Sequence, residues 1–224
     1  SEMCIRDSSW IQVKLRIELP PPLEITIFCF IFAAEILGEV NAFYVVIPGW
    51  DTMLHTLNGF LFAAVGFSLV NILNRDKRVM LRLSPFYMAV MAFCFSMTIG
   101  VLWEFFEWGV DTLLAKDMQK DTIVQAIHSV TLHPEGRNIP VHIQDIADVI
   151  LVHSDGSQTP LGVGGYLDIG LIDTMSDLLV NFIGAVVFSF IGFFYVKSQG
   201  KGKLASQFIP QLMEKQNPER QEES

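Results

Sequence analysis

Charge is scarce in this chain of 224 residues, of which Asp, Glu, Lys and Arg make up only 17%. What charge there is leans acidic, and a net −9 argues against nucleic acid as a partner. Cysteine is scarce too, with three in the chain. Cys29 and Cys94 fall inside apolar runs, so they read as buried small hydrophobes and not as a disulfide framework or a zinc site. Gly162-Val163-Gly164-Gly165 has no Lys behind it and makes a poor phosphate loop. His128, His133, His142 and His153 lack metal-like spacing and read as surface or strand residues.

Apolar residues are plentiful, at 51% of the chain, and the mean hydropathy is positive. About 20 consecutive apolar residues cross a bilayer, and runs near that length recur. They predict an all-α polytopic membrane protein, with about four transmembrane helices in a bundle. The spans fall near residues 23–46, 51–73, 85–108 and 172–196. Residues 10–111 hold the first three, residues 112–170 form an insert, 171–197 the last span and 198–224 a polar cytoplasmic tail. Residues 1–9 resemble translated sequencing-adapter sequence and are set aside as a non-native leader, which implies that the true N-terminus is missing.

The insert is polar and holds four of the five histidines. His133-Pro134-Glu135-Gly136 and Ser154-Asp155-Gly156-Ser157 are turn signals, and residues 146–152 are rich in β-branched side chains. Asp-Gly between short extended runs predicts a hairpin, hence a small subdomain with some strand. Basic residues set the orientation. Lys14 and Arg16 precede the first span, Arg75, Lys77, Arg78 and Arg82 separate the second and third, and Lys197, Lys201 and Lys203 follow the fourth. All three segments fall on one side, the cytoplasmic one, which puts the insert outside.

Polar residues inside the spans carry the functional argument. Asp173, Asp177 and Asn181 recur every fourth residue and Gly184 follows, one stripe on a helix. Asp51, His55 and Gly59 share a face, as do Glu104, Glu107 and Asp111, and Glu35 with Glu39. Asp51 and His55 open the second span at its outer end, Glu104, Glu107 and Asp111 close the third there, and Asp173 and Asp177 open the fourth. Glu39 lies in the outer half of the first span. Carboxylates facing lipid are costly, so these groups should meet in the interior. So many acids in a medium of low dielectric need raised pKa values or a cation. An oxygen-rich set with one imidazole suits Mg²⁺, Mn²⁺ or Ca²⁺ and admits Zn²⁺. The candidate ligands are Asp51, His55, Glu104, Glu107, Asp111, Asp173 and Asp177. Asp51 and Asp173 also sit where N-caps belong, and Asn181 suits interhelical hydrogen bonding. Gly59, Gly66, Gly100 and Gly184 suit close helix packing.

The combination Trp50-Asp51-x-x-x-His55, Trp103-Glu104-x-x-Glu107-Trp108-Gly109-x-Asp111, Met118-Gln119-x-Asp121-Thr122 and Asp173-Thr174-x-x-Asp177-x-x-x-Asn181-x-x-Gly184-Ala185 resembles the YjdF-like family of bacterial inner-membrane proteins. Asp51, His55, Asp177, Asn181 and Gly184 are more loosely similar to VanZ-like membrane proteins. The usual Arg shortly before the late Asp is missing from Leu171-Ile172-Asp173-Thr174. The resemblance implies a multi-pass protein of the cytoplasmic membrane in the cell envelope.

Three functions fit. The leading one is a metal-assisted envelope enzyme acting on a lipid or lipid-linked headgroup at the outer leaflet. Its catalytic residues would be His55 as general base with Asp51, Glu107 and Asp177 as ligands or orienters. The second is a small ion-coupled transporter, its acids serving as cation or proton sites. The third is a non-catalytic envelope protein whose insert binds a partner.

Overall fold

The computed structural model describes residues 17–18, 20–75, 83–200, 207–209 and 211–212. The leader expected at 1–9 lies outside them, as do Lys14, Arg16, Lys77, Arg78, Arg82, Lys201 and Lys203. The described chain is mostly helical, with small strand pairs. It runs β1 (Ile17–Glu18), α1 (Pro21–Ile31), a π-helical segment (Phe32–Val40), α2 (Phe43–Val46), α3 (Trp50–Arg75) and α4 (Pro85–Leu114). Next come β2 (Ile123–Val124), β3 (Ile127–Ser129), β4 (Val141–Ile143), β5 (Ile150–Val152), β6 (Gln158–Pro160) and β7 (Tyr166–Leu167). The chain closes with α5 (Leu171–Lys197) and β8 (Gln211–Leu212).

Three of these helices, α3, α4 and α5, are long and apolar enough to cross a membrane. The run expected as a first span is interrupted. Pro21 and Pro22 start α1, where a missing N–H costs nothing. The ladder then widens into π-helix and stops at Asn41, and Ala42 takes a left-handed φ of 56°. Residues 23–46 are therefore two α-helices joined through a π-helical segment.

The chain forms two compact units, residues 1–102 with 177–224, and residues 103–176. In the first unit many large apolar residues of the helices lie outside, while polar residues and glycines turn inward beside an apolar core. Along α5, Asp177, Asn181, Gly184, Ala185, Phe188, Ser189, Gly192 and Tyr195 are buried. Leu179, Ile183, Val187, Phe190 and Phe194 are exposed. A helix in water would be the other way round; lipid reverses the preference, and small residues let the helices approach.

The approach is close. A Cβ added to Gly184 would stand 2.0 Å from the Thr56 carbonyl oxygen, and one added to Gly59 2.1 Å from that of Asn181. Backbone thus meets backbone where α3 and α5 cross. Ser96 of α4 donates its hydroxyl proton to the Gly59 carbonyl at 2.7 Å. Below this level Ala63, Ala64, Phe67, Met88, Ala92, Ala185 and Phe188 form the apolar core. The ring of Phe60 meets those of Phe188 and Phe208 edge-on at 5.0 and 5.3 Å. Ile209, beyond α5, is buried in the same core, and β8 pairs antiparallel with β1. Cys29 and Cys94, expected in the interior, are exposed instead. They lie on outward apolar faces, so an apolar run by itself does not mark the buried side.

In the second unit, β2 pairs with β7, β3 with β4 and β5 with β6, all antiparallel. The expected Asp-Gly hairpin joins β5 to β6. Gly156 supplies a φ of +84°, and Asp155 accepts bonds from the Ser157 N–H at 2.9 Å and hydroxyl at 2.6 Å. Those bonds hold the fully exposed Asp155 carboxyl below its ordinary pKa.

The crossing makes a direct prediction. Gly184→Leu should lower the thermal unfolding midpoint of the detergent-solubilised protein by an amount matching about 1–3 kcal/mol or more, because backbone leaves no room. Gly109→Ala, at a helical position with nothing within 4 Å, should leave it equal or higher.

Candidate functional site

Pro48-Gly49 turns the chain into α3, with Gly49 at a φ of +78° and the Trp50 N–H on the Ile47 carbonyl at 3.1 Å. The Trp50 ring packs edge-on against Phe43 at 5.0 Å. Asp51 and His55 follow one turn apart on the same face. Because α5 meets α3 at Thr56 and Gly59, the residue one turn before Asn181 faces His55. That residue is Asp177. His55 Nε2 lies 3.5 Å from Asp51 Oδ1 and 3.7 Å from Asp177 Oδ2.

His55 and Asp177 are buried, with side chains 10% and 4% exposed, and Asp51 at 34% forms the open edge. One ligand atom from each of the three falls within 4.8 Å of the other two, a set that could hold a metal ion. One turn deeper, Asn58 donates to the Asn181 side-chain oxygen at 3.5 Å, and a Cβ on Gly100 would meet the Asn181 amide at 2.6 Å. Asn181 thus sits as an interhelical hydrogen-bonding residue, walled in by glycines.

Such an arrangement has two chemical uses. Two carboxylates beside one imidazole offer a cation three ligands of hard and borderline character. They also orient the imidazole, as needed by a group that accepts and returns a proton.

The other expected residues lie in the second unit. Glu104 and Glu107 are buried, and the Trp103 indole N–H donates to Glu107 Oε1 at 2.8 Å. Trp103, Phe105, Phe106 and Trp108 are exposed around them. Asp111 and Asp173 hold backbone. Asp111 accepts from the N–H groups of Met118 and Gln119 at 2.6 and 2.8 Å, and Asp173 from that of Lys120 at 2.8 Å. The Gln119 side chain donates to the Thr174 hydroxyl. These bonds account for the Met118-Gln119 motif, whose N–H groups are captured by Asp111 while the next one goes to the distant Asp173. Glu35 and Glu39, expected to point inward, are exposed on the π-helical segment.

Sequence reasoning missed Asp168. One of its oxygens accepts from Thr122 at 2.7 Å and from Gly170 at 3.3 Å, the other from Ile172 at 2.7 Å. It therefore caps the start of α5, the part the sequence offered to Asp173. Burial pushes its carboxyl upward, but the three backbone N–H groups outweigh that and hold it below the ordinary range. Asp121 moves the other way, raised by burial and by the neighbouring charges of Asp117, Asp168 and Asp111. The signal for Asp168 was its place two residues before a Gly that precedes an apolar run.

Long apolar helices whose polar residues are buried and whose apolar residues are exposed define a membrane protein. Residues 8–198 match the model of the family described as Predicted membrane protein (DUF2238), and the chain belongs to that family. No curated protein and no solved structure gave a match.

Asp168 yields a pH prediction. A carboxyl with a depressed folded pKa adds stability that is complete above its unfolded value and is lost as pH falls through the folded one. Amide hydrogen exchange around Thr122 and Ile172 should therefore accelerate as pH is lowered below the ordinary carboxylate range, after correction for intrinsic exchange. Asp168→Asn should raise exchange there already at neutral pH, by a cap's worth of about 1 kcal/mol, and flatten the acid step.

Proposed function

We propose that this protein is a metal-assisted enzyme of the bacterial envelope. In this reading it is a helical bundle of about four spans in the cytoplasmic membrane, with residues 112–170 outside. The narrower likeness to YjdF-like and VanZ-like proteins belongs to the same proposal. One observation carries it: Asp51 and Asp177 flank His55 within 4 Å, with His55 and Asp177 buried and Asp51 partly open. Buried ionisable groups between membrane helices are costly, and function is the usual reason to keep them.

A divalent ion (Mg²⁺, Mn²⁺, Ca²⁺ or Zn²⁺) held by these three side chains would polarise a phosphoryl or carbonyl oxygen and acidify a bound water. Ligand atoms on one ion at about 2.0–2.2 Å stand roughly 3 Å apart, so a small inward movement of Asp51 and Asp177 suffices. Without a metal ligation role, His55 would serve as the general base, oriented by the two acids. The substrate would be a lipid or lipid-linked headgroup, reached past the exposed edge of Asp51.

A second reading has support of its own. The helix interrupted at residues 32–42 is a feature of ion-coupled transporters, whose broken helices bind coupling ions.

Two measurements separate these readings. The purified protein should retain about one divalent ion, which Asp177→Asn and His55→Ala both release, and it should turn over a labelled envelope lipid extract that neither variant converts. Retention of the metal by both variants would overturn the centre. Counterflow in proteoliposomes without lipid turnover would favour the transporter.

A further inference from the structure

Outside the buried site, two described histidines bring metal-binding atoms together. His128 on β3 and His142 on β4 are directly opposed in the strand register. Their Nδ1 atoms are 2.7 Å apart and their ring centroids 4.6 Å apart, and both side chains are exposed. The pair lies wholly within the second unit, far in sequence from Asp51, His55 and Asp177.

We propose that His128 and His142 form a second, surface metal site, selective for Cu²⁺ and Ni²⁺ over Zn²⁺. At 2.7 Å a single proton lies between the two nitrogens, so one Nδ1 donates and the other accepts. A cation can take the proton's place once the bridging proton shifts to the Nε2 of its ring and the rings turn to bring both Nδ1 lone pairs onto it. The antiparallel pairing holds the two rings in register, so little freedom is lost on binding.

The spacing selects the metal. Two nitrogens this close, each about 2.0 Å from an ion, subtend about 85°, near the right angle between neighbouring ligands of square-planar Cu²⁺ or Ni²⁺. A tetrahedral Zn²⁺ pair would need them about 3.3 Å apart. Water fills the remaining positions, because both rings face solvent. The sequence conceals the site: His128 and His142 are 14 residues apart, and only the strand pairing makes them neighbours.

The test uses the full chain carrying His55→Ala, which removes the imidazole of the buried centre, titrated in detergent with Cu²⁺, Ni²⁺ and Zn²⁺ in turn. Paramagnetic resonance of the Cu²⁺ form should show two equivalent nitrogens. His128→Gln and His142→Gln should each weaken Cu²⁺ binding at least about tenfold, since even outer-shell partners cost that much. His133→Gln in the same background should change nothing. Binding should weaken in acid, where protons compete for the imidazoles. A one-nitrogen signal, unchanged binding in the double His128→Gln/His142→Gln protein, or Zn²⁺ held as tightly as Ni²⁺ would each overturn the assignment.

Discussion

Everything at the buried site depends on how closely α3 and α5 cross. Gly59 and Gly184 let backbone lie on backbone, with Thr56 and Asn181 as the opposing surfaces. Were either glycine larger, its side chain would strike backbone and the helices would have to shift apart, drawing Asp177 away from His55. The glycines therefore belong to the site as much as its acids do. They contribute no chemistry, only distance.

The same crossing explains why the polar residues can be inside at all. In lipid there is no hydrophobic force between apolar helix faces, so contact is won by fit and by hydrogen bonds. Asn58 with Asn181, and Ser96 with the Gly59 carbonyl, supply such bonds at the crossing. The apolar side chains that would form the core of a soluble protein are left to face outward, as Leu179, Ile183 and Phe190 do. Burial of Asp177 follows from this inversion.

The second unit uses its acids differently. Asp111, Asp168 and Asp173 each capture backbone N–H groups of the segment from Met118 to Thr122 or of the start of α5. Residues 115–122 contain no regular element, so those N–H groups have no ladder to join. A carboxylate offers about four acceptor positions, enough to replace the missing partners. Acids spaced alike in the sequence thus serve differently: Asp51 and Asp177 lie beside an imidazole, Asp111 and Asp173 beside bare backbone.

Much was legible from the sequence because hydrophobicity and spacing are local. The long helices, the Asp-Gly hairpin, the shared face of Asp51 and His55, and the buried stripe of Asp177, Asn181 and Gly184 all follow from periods of 3.6 or 2 along one segment. What spacing could not supply was anything set by two segments at once. It could not tell that residues 23–46 break at Asn41 and Ala42, since the left-handed turn there belongs to a residue with no such preference. Nor could it tell the capping Asp168 from Asp173, or the outward Cys94 from an inward one. The meeting of Asp177 with His55, and of His142 with His128, exists only because helices pack and strands pair, and a one-dimensional pattern holds no record of which partner lies across the gap.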